Sequence, residues 1–408
     1  MKFKEFINIL FIVFFFPSLV FGVAFSNMVI ISFTIWTCIV KFHEVQNIIL
    51  KNKNIIFIFL IFYFFLLLSS ILSNYPINSL ASSLFYFLYF LYGAALLILI
   101  KEKPINQLFF LSFGLITFLF ISVDAIYEII NKKNILGFSS IDGRIAGLFG
   151  DRWVIGSYLV RIMPVLIGIF FINFNLIKDY FKVFYFIIFF LSSVIIIFSG
   201  ERTAYILFIL YIISLLGFFL KKTSVKKILL GLFFVIFFLI FPFLFTDYEE
   251  RLMHNIYFNI TSFDYDNNQY LSLFTTAFKM FLENPLIGLG PNNFRLACSE
   301  PIFNISVYSC STHPHNILLQ LLSEIGLVGT ILVYLFFISI IFKAFKELSK
   351  SKFYIEDLGL FSIKMGIIIN LWPFITSGNF FLSWNGFIYY LPISFYFIYK
   401  KKNIKTTK

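Results

Sequence analysis

The chain has 408 residues, of which 60% are hydrophobic, 22% aromatic and 13% charged, with 32 Lys and Arg against 20 Asp and Glu and a formal net charge of +12. Apolar runs of about 20 residues recur along the whole length, which excludes a soluble globular enzyme and a disordered chain and predicts an integral membrane protein. Backbone hydrogen bonding in lipid allows helices or closed barrels, and the runs lack two-residue alternation, so helices are expected.

The expected fold class is all-α and polytopic, a single integral membrane domain over residues 1–408. Taken in order, the apolar runs predict about twelve transmembrane helices, at 5–23, 26–42, 54–73, 79–100, 108–130, 153–174, 182–199, 203–220, 227–246, 316–345, 358–377 and 382–399. The first run follows Lys2 and Lys4 in the manner of a signal peptide. It has no clear small-x-small cleavage site after it, so a retained helix is expected. The longest connection, between the ninth and tenth spans, runs from Asp247 to His315. The other sizeable one on that side is Asn131 to Arg152.

Lysines fix the expected orientation. They gather in alternate loops: Lys51 and Lys53, Lys101 and Lys103, Lys178 and Lys182, Lys221 to Lys227, Lys343 to Lys352, and Lys400 to Lys402, and the opposite loops hold only Lys132, Lys133 and Lys279. The positive-inside rule places those loops and both chain ends in the cytoplasm, and residues 247–315 in an extracytoplasmic loop. The net positive charge is largely this asymmetry, so no nucleic-acid partner is implied. The complete arginine set, Arg144, Arg152, Arg161, Arg202, Arg251 and Arg295, falls on the opposite side or in the outer half of a span. A planar guanidinium grips phosphate at two oxygens, so an anionic, phosphate-bearing ligand is expected at that face. Arg144 and Arg152 flank a turn, Gly147 to Gly150, whose backbone N–H groups could face an anion. Arg161, inside a span, is expected to be functional or paired within the bundle.

The stretch Thr312-His313-Pro314-His315-Asn316 leads into Gly326-Leu327-Val328-Gly329. Read as one helix, Pro314 and His315 lie in its first turn, and His315, Leu319, Leu322, Gly326 and Gly329 share a face. The helix dipole would there hold His315 neutral, ready to accept a proton. Gly326 and Gly329 would let another helix approach closely. Before this stretch, Leu271, Phe274, Phe278 and Phe281 predict an interfacial helix over Tyr270 to Leu282. Asn284 to Pro291 then makes a turn-rich break. Cys298 and Cys310 lie in the outer loop, where an oxidising compartment would let them form a disulfide. Asp264-Tyr265-Asp266 matches a metal-holding Asp-x-Asp element only formally. It faces away from cytoplasmic nucleotide sugars, and no metal-site cluster accompanies it.

His315 followed by Asn316, nine residues, Gly326, two residues and Gly329 resembles the signature of the O-antigen ligase and polymerase superfamily. Ser199-Gly200-Glu201-Arg202-Thr203-Ala204 resembles the arginine turn of that superfamily. Asn284-Pro285-Leu286-Ile287-Gly288-Leu289-Gly290 resembles the Pro-x-x-Gly-x-Gly segment that precedes its histidine. The resemblance covers roughly Arg144 to Phe345. It implies a glycosyltransferase that moves a glycan from a polyprenyl diphosphate to an acceptor hydroxyl, such as lipid A core, at the periplasmic face of the bacterial inner membrane. His315 would be the general base. Arg202, Arg144, Arg251 and Arg152 would hold the donor diphosphate, and Asn316 would orient a sugar or His315. One displacement implies inversion, with no metal and no cofactor. An O-antigen polymerase or a protein O-oligosaccharyltransferase shares this chemistry. A flippase fits less well, because the charges gather on one face and no internal repeat is evident.

Overall fold

The computed structural model describes residues 3–102, 104–139, 144–220, 236, 264–266, 268–348 and 354–403. They form helices joined by turns. These are α1 (Phe3–Phe21), α2 (Val23–Val40), α3 (Phe42–Lys51), α4 (Lys53–Ile71), α5 (Pro76–Ser83), α6 (Phe87–Glu102), α7 (Pro104–Asn131), α8 (Ile155–Ile172), α9 (Asp179–Phe198) and α10 (Arg202–Leu220). After the undescribed stretch come α11 (Gln269–Glu283), the single turn α12 (Phe294–Ala297), α13 (Ile317–Leu348), α14 (Ile355–Asn370) and α15 (Ser383–Asn403).

Each apolar run read from the sequence overlaps one or two of these helices, except 227–246, which apart from residue 236 lies outside the described residues. Among the described residues, seven helices are long and apolar enough to cross a membrane, or eight if the pair Phe42–Lys51 and Ile56–Ile71, bent by 98°, counts as one span. The protein is therefore a multi-pass membrane protein. The count is below the twelve expected. The apolar part of α10, Arg202–Phe218, is short, and α14 has only 16 residues. The run at 358–377 is not one helix. It ends at Asn370, and residues 371–382 form an irregular segment that returns to α15. Pro373 explains the stop, since the residue before a proline is pushed out of the helical region.

The core is built where apolar helices meet on small residues. α8 is buried along almost its whole length and packs on α14. A Cβ on Gly359 would sit 2.6 Å from the Gly168 carbonyl oxygen, so the two glycines set the close approach. Tyr211 and Ser362 share a hydrogen bond of 2.6 Å, and Ser362 donates to the Pro164 carbonyl at 2.7 Å, so buried hydroxyls tie α10, α14 and α8 together. Arg161 on α8 is 5% exposed and donates to the side-chain and backbone oxygens of Asn370, at 3.1 and 3.4 Å. It thus sits on the negative end of α14 and is paired inside the bundle.

α13 is the element that sets the site, and it is broken. Gly326 has φ 63° and ψ −171°, so the helix stops and restarts there. The groups freed by the break pair with the turn-rich segment before α12. Leu289 N–H donates to the Ser323 carbonyl (2.9 Å) and Gly290 N–H to the Glu324 carbonyl (2.8 Å). Leu327 N–H donates to the Pro285 carbonyl (2.8 Å) and Val328 N–H to that of Leu286 (3.3 Å). The expected role of Gly326 and Gly329 as a helix-packing pair is thereby corrected. Gly326 admits the backbone of Leu286 and Ile287, and a Cβ on Gly329 would meet mainly the Ile325 side chain of the same helix.

The helix expected over Tyr270 to Leu282 is α11, capped by Asn268, whose side chain accepts the Leu271 N–H at 3.1 Å. Its buried stripe is Leu273, Thr276, Ala277 and Met280, while Phe278 is exposed. With Leu289, Phe294, Ala297, Cys298 and Phe303 it forms a small second core over the start of α13.

An L-residue at Gly326 would sit in a backbone region essentially reserved for glycine, a strain of about 1–3 kcal/mol, and would also strike the Leu286–Ile287 backbone. Gly326→Ala should lower the thermal unfolding midpoint of the purified protein clearly more than Gly329→Ala. Equal midpoints would contradict the role assigned to the break.

Candidate active site

Two histidines stand just before α13. His315 is not in its first turn. It has φ 55°, a left-handed conformation that is uncommon for a residue with a side chain. The helix begins at Ile317 because Asn316 caps it: the Asn316 side-chain oxygen accepts the Leu319 N–H at 3.0 Å. The amide nitrogen of Asn316 donates to the Pro373 carbonyl at 2.8 Å. Asn316 is therefore committed to the cap and to the 371–382 segment, and it acts on His315 by fixing the backbone beside it.

Ser377 clamps both histidines. Its N–H donates to the His315 carbonyl at 2.8 Å, and its own carbonyl accepts from His313 Nε2 at 3.0 Å. A carbonyl only accepts, so His313 carries its proton on Nε2, and its Nδ1 accepts from the Thr312 hydroxyl at 2.9 Å. The two rings lie 4.1 Å apart between centroids. Ser311 Oγ lies 3.2 Å from His315 Nε2, and the Tyr270 ring stands edge-on to His315 at 6.3 Å. Burial pushes the His313 pKa down to about 3, with further lowering from His315 and Arg295 against the Ser377 carbonyl. Burial also holds His315 below the usual histidine value. The neutral state expected of His315 thus has a different cause: desolvation rather than a place in the helix dipole.

The arginine turn reaches the same segment. Thr203 and Thr376 share a hydroxyl–hydroxyl hydrogen bond, one residue from Arg202 and one from Ser377. Glu201 does not pair with Arg202. Its carboxylate caps α8, accepting from Gly156 N–H at 2.6 Å and from the Ser157 hydroxyl at 2.5 Å. Burial pushes the Glu201 carboxyl up to about 7, opposed by the Ser157 and Gly156 donors and by Arg144. Arg202 is left half-buried with no carboxylate partner among the described residues.

The other predicted arginines differ in availability. Arg144 is half-buried and its charge bears on Glu201, which places it on the Arg202 side. Arg152 donates to the carbonyls of Phe149 at 3.2 Å and Val20 at 3.1 Å, and it abuts Gly22 at the end of α1. Arg251 lies outside the described residues. The Gly147 to Gly150 turn offers no vacant anion cradle at its start, because Glu128 already accepts the Ala146 and Gly147 N–H groups at 3.1 and 2.7 Å. Asp264 accepts the Asp266 N–H at 3.0 Å, the pattern of a local turn. Cys298 and Cys310 are joined by a disulfide, Cα atoms 5.1 Å apart, between α12 and the histidines. Ser311, Ser377 and Thr376 were not anticipated as site residues. The Pro373 and Gly378 punctuation inside the apolar stretch was the available signal.

Comparison with family models places this arrangement. Residues 187–334 match the O-antigen ligase family. This segment belongs to the O-antigen ligase-like superfamily. The match runs from α9 through the arginine turn, the Pro285 to Gly290 segment and the histidines, into α13 beyond the break. The family is one of ligase- or polymerase-type membrane enzymes, and the likeness covers less than half of the chain. It stops before the 371–382 segment that clamps the histidines. No curated protein matches the chain.

His313 should stay neutral well into acid pH, and His315 should protonate at a lower pH than an ordinary histidine. In histidine-labelled NMR of the purified protein, His315 should titrate below pH 6.5, and His313 should still be neutral at pH 5. Ordinary midpoints near 6.5 for both would contradict the buried, clamped geometry.

Proposed function

We propose that the protein is an O-antigen ligase-type glycosyltransferase that moves a glycan from a polyprenyl diphosphate to an acceptor hydroxyl, such as that of lipid A core. The observation that carries this reading is the shared segment 371–382, which holds His315 at Ser377 and the Arg202 turn at Thr376. It brings a neutral imidazole and an unpaired guanidinium to one end of the bundle.

In this reading His315 takes the proton of the acceptor hydroxyl as the oxygen attacks the anomeric carbon. The bond from that carbon to the diphosphate breaks, and Arg202, with Arg144 and Arg251, stabilises the charge on the leaving oxygen. Arg152 supports the loop from the side, through its two carbonyl bonds. A single displacement inverts the anomeric centre. The diphosphate is already an activated leaving group, so the step calls on neither metal nor nucleotide cofactor. The twelve-pass topology, the extracytoplasmic loop at 247–315 and a periplasmic active site in the inner membrane belong to the same proposal, supported by the lysine asymmetry.

A deletion strain, complemented in turn with wild type, Arg202→Lys and Arg202→Ala, tests it on a lipopolysaccharide gel. Deletion should remove all ladder bands from the core. Wild type should restore them, Arg202→Ala should not, and Arg202→Lys should restore them poorly, because lysine lacks the fork. Losing one charge-assisted contact to the leaving group costs about 2–4 kcal/mol. A single-repeat band in the deletion strain would mean a polymerase, and full restoration by Arg202→Lys would remove Arg202 from the donor site.

A further inference from the structure

Glu324 lies on α13 two residues before the Gly326 break and is 1% exposed. It has no ion-pair partner at contact distance among the described residues, and its oxygens are satisfied by hydrogen-bond donors. Oε1 accepts the Phe294 N–H at 3.0 Å, and Oε2 accepts from Gln320 Nε2 at 3.0 Å. The Asn292 N–H also bonds it. Gln320 is fully buried. Its Nε2 also donates to Asn379 Oδ1 at 2.7 Å, and its Oε1 accepts the Phe380 N–H at 2.8 Å. Asn379 Nδ2 donates to Asn292 Oδ1 at 2.9 Å, and Arg295 donates to that same oxygen at 3.1 Å. A continuous polar chain thus runs from a buried carboxylate to the exposed guanidinium of Arg295.

That guanidinium is connected to the segment that holds the histidines. Its acceptor Asn292 also accepts from Asn379, two residues from the Ser377 that holds both histidines. Arg295 spends one N–H on Asn292 and is otherwise exposed. Its turn, α12, is fixed on one side by Glu324 and ends at the disulfide-bonded Cys298. A planar fork that keeps free donors beside a neutral base suits a phosphate.

We propose that Arg295 binds a phosphate of the substrate beside His315, and that Glu324 is the positioning residue that aims it through Phe294 and Asn292. The proposal rests on the transfer reaction given above. In Glu324→Gln, the new amide N–H groups must face either the Phe294 N–H or Gln320 Nε2, both of which are donors. One amide oxygen cannot serve both, so either the Phe294 anchor of α12 or the Gln320 bond beside it is lost, and α12 is held less firmly. A misplacement of that kind costs about 10- to 100-fold in kcat/KM.

The test uses the purified full chain, with donor and acceptor titrated separately. Arg295→Ala and Glu324→Gln should raise KM for the same substrate: the donor if the phosphate is the carrier's, the acceptor if it belongs to the glycan being extended. The double variant should be no worse than Arg295→Ala to within about 2-fold, because one residue acts through the other. Unchanged KM values in Arg295→Ala, or losses that multiply in the double variant, would overturn the proposal. Arg295 is exposed, so Arg295→Ala still decides if Glu324→Gln does not fold. His315→Ala, run alongside, separates the two ideas. If it is inactive, the transfer reading stands whatever happens to Arg295, and if it is active, that reading fails by itself.

Discussion

The structure depends on one backbone exchange inside a membrane protein. An unbroken helix would satisfy its own N–H and C=O groups, but α13 is opened at Gly326. Each unpaired backbone group in an apolar setting costs several kcal/mol, so the opening persists only because Pro285 to Gly290 supplies the missing partners. Glycine is needed on both sides. Gly326 must adopt φ 63°, and a Cβ on Gly288 would strike the Glu324 and Ile325 backbone. The pattern Pro-x-x-Gly-x-Gly and the glycine eleven residues beyond His315 are thus two halves of one junction.

From that junction the rest of the site follows by short connections. Ser69 donates to the Ile287 carbonyl at 2.8 Å and Ser73 to the Leu289 carbonyl at 2.6 Å, so the end of α4 holds the same segment. Upstream on α13, Gln320 and Asn316 catch residues 371–382, and those residues hold His313, His315 and Thr203. Side chains also bond across helices elsewhere, as Tyr211 and Ser362 do, but here they form a connected set. Burial keeps the imidazoles neutral there, and the left-handed backbone at His315 is overdetermined by its neighbours.

Much of the helical scaffold was legible, because long apolar runs leave few alternatives in lipid. His315, Gly326 and Arg202 were legible as positions of a motif, but their geometry was not. Pro314 suggested a helix start one turn too early, when Asn316, a strong capping residue followed by an apolar run, sets it. Gly326 was read as a packing surface, since small residues serve both packing and breaking, and only the neighbouring backbone distinguishes them. The run at 358–377 hid the segment that clamps the histidines, because hydropathy averages over Pro373 and the polar residues up to Ser377. The Glu324–Gln320–Asn379–Asn292 chain joins residues far apart in sequence and has no local signal at all.

The central claim is that His315, in its clamped and neutral state, takes the acceptor proton. Wild type and His315→Ala should be purified, matched for folded protein, and compared for donor binding and for glycan transfer to the acceptor. The account predicts that His315→Ala binds the lipid-linked donor about as well as wild type and transfers no glycan. Near-normal transfer by His315→Ala would contradict it.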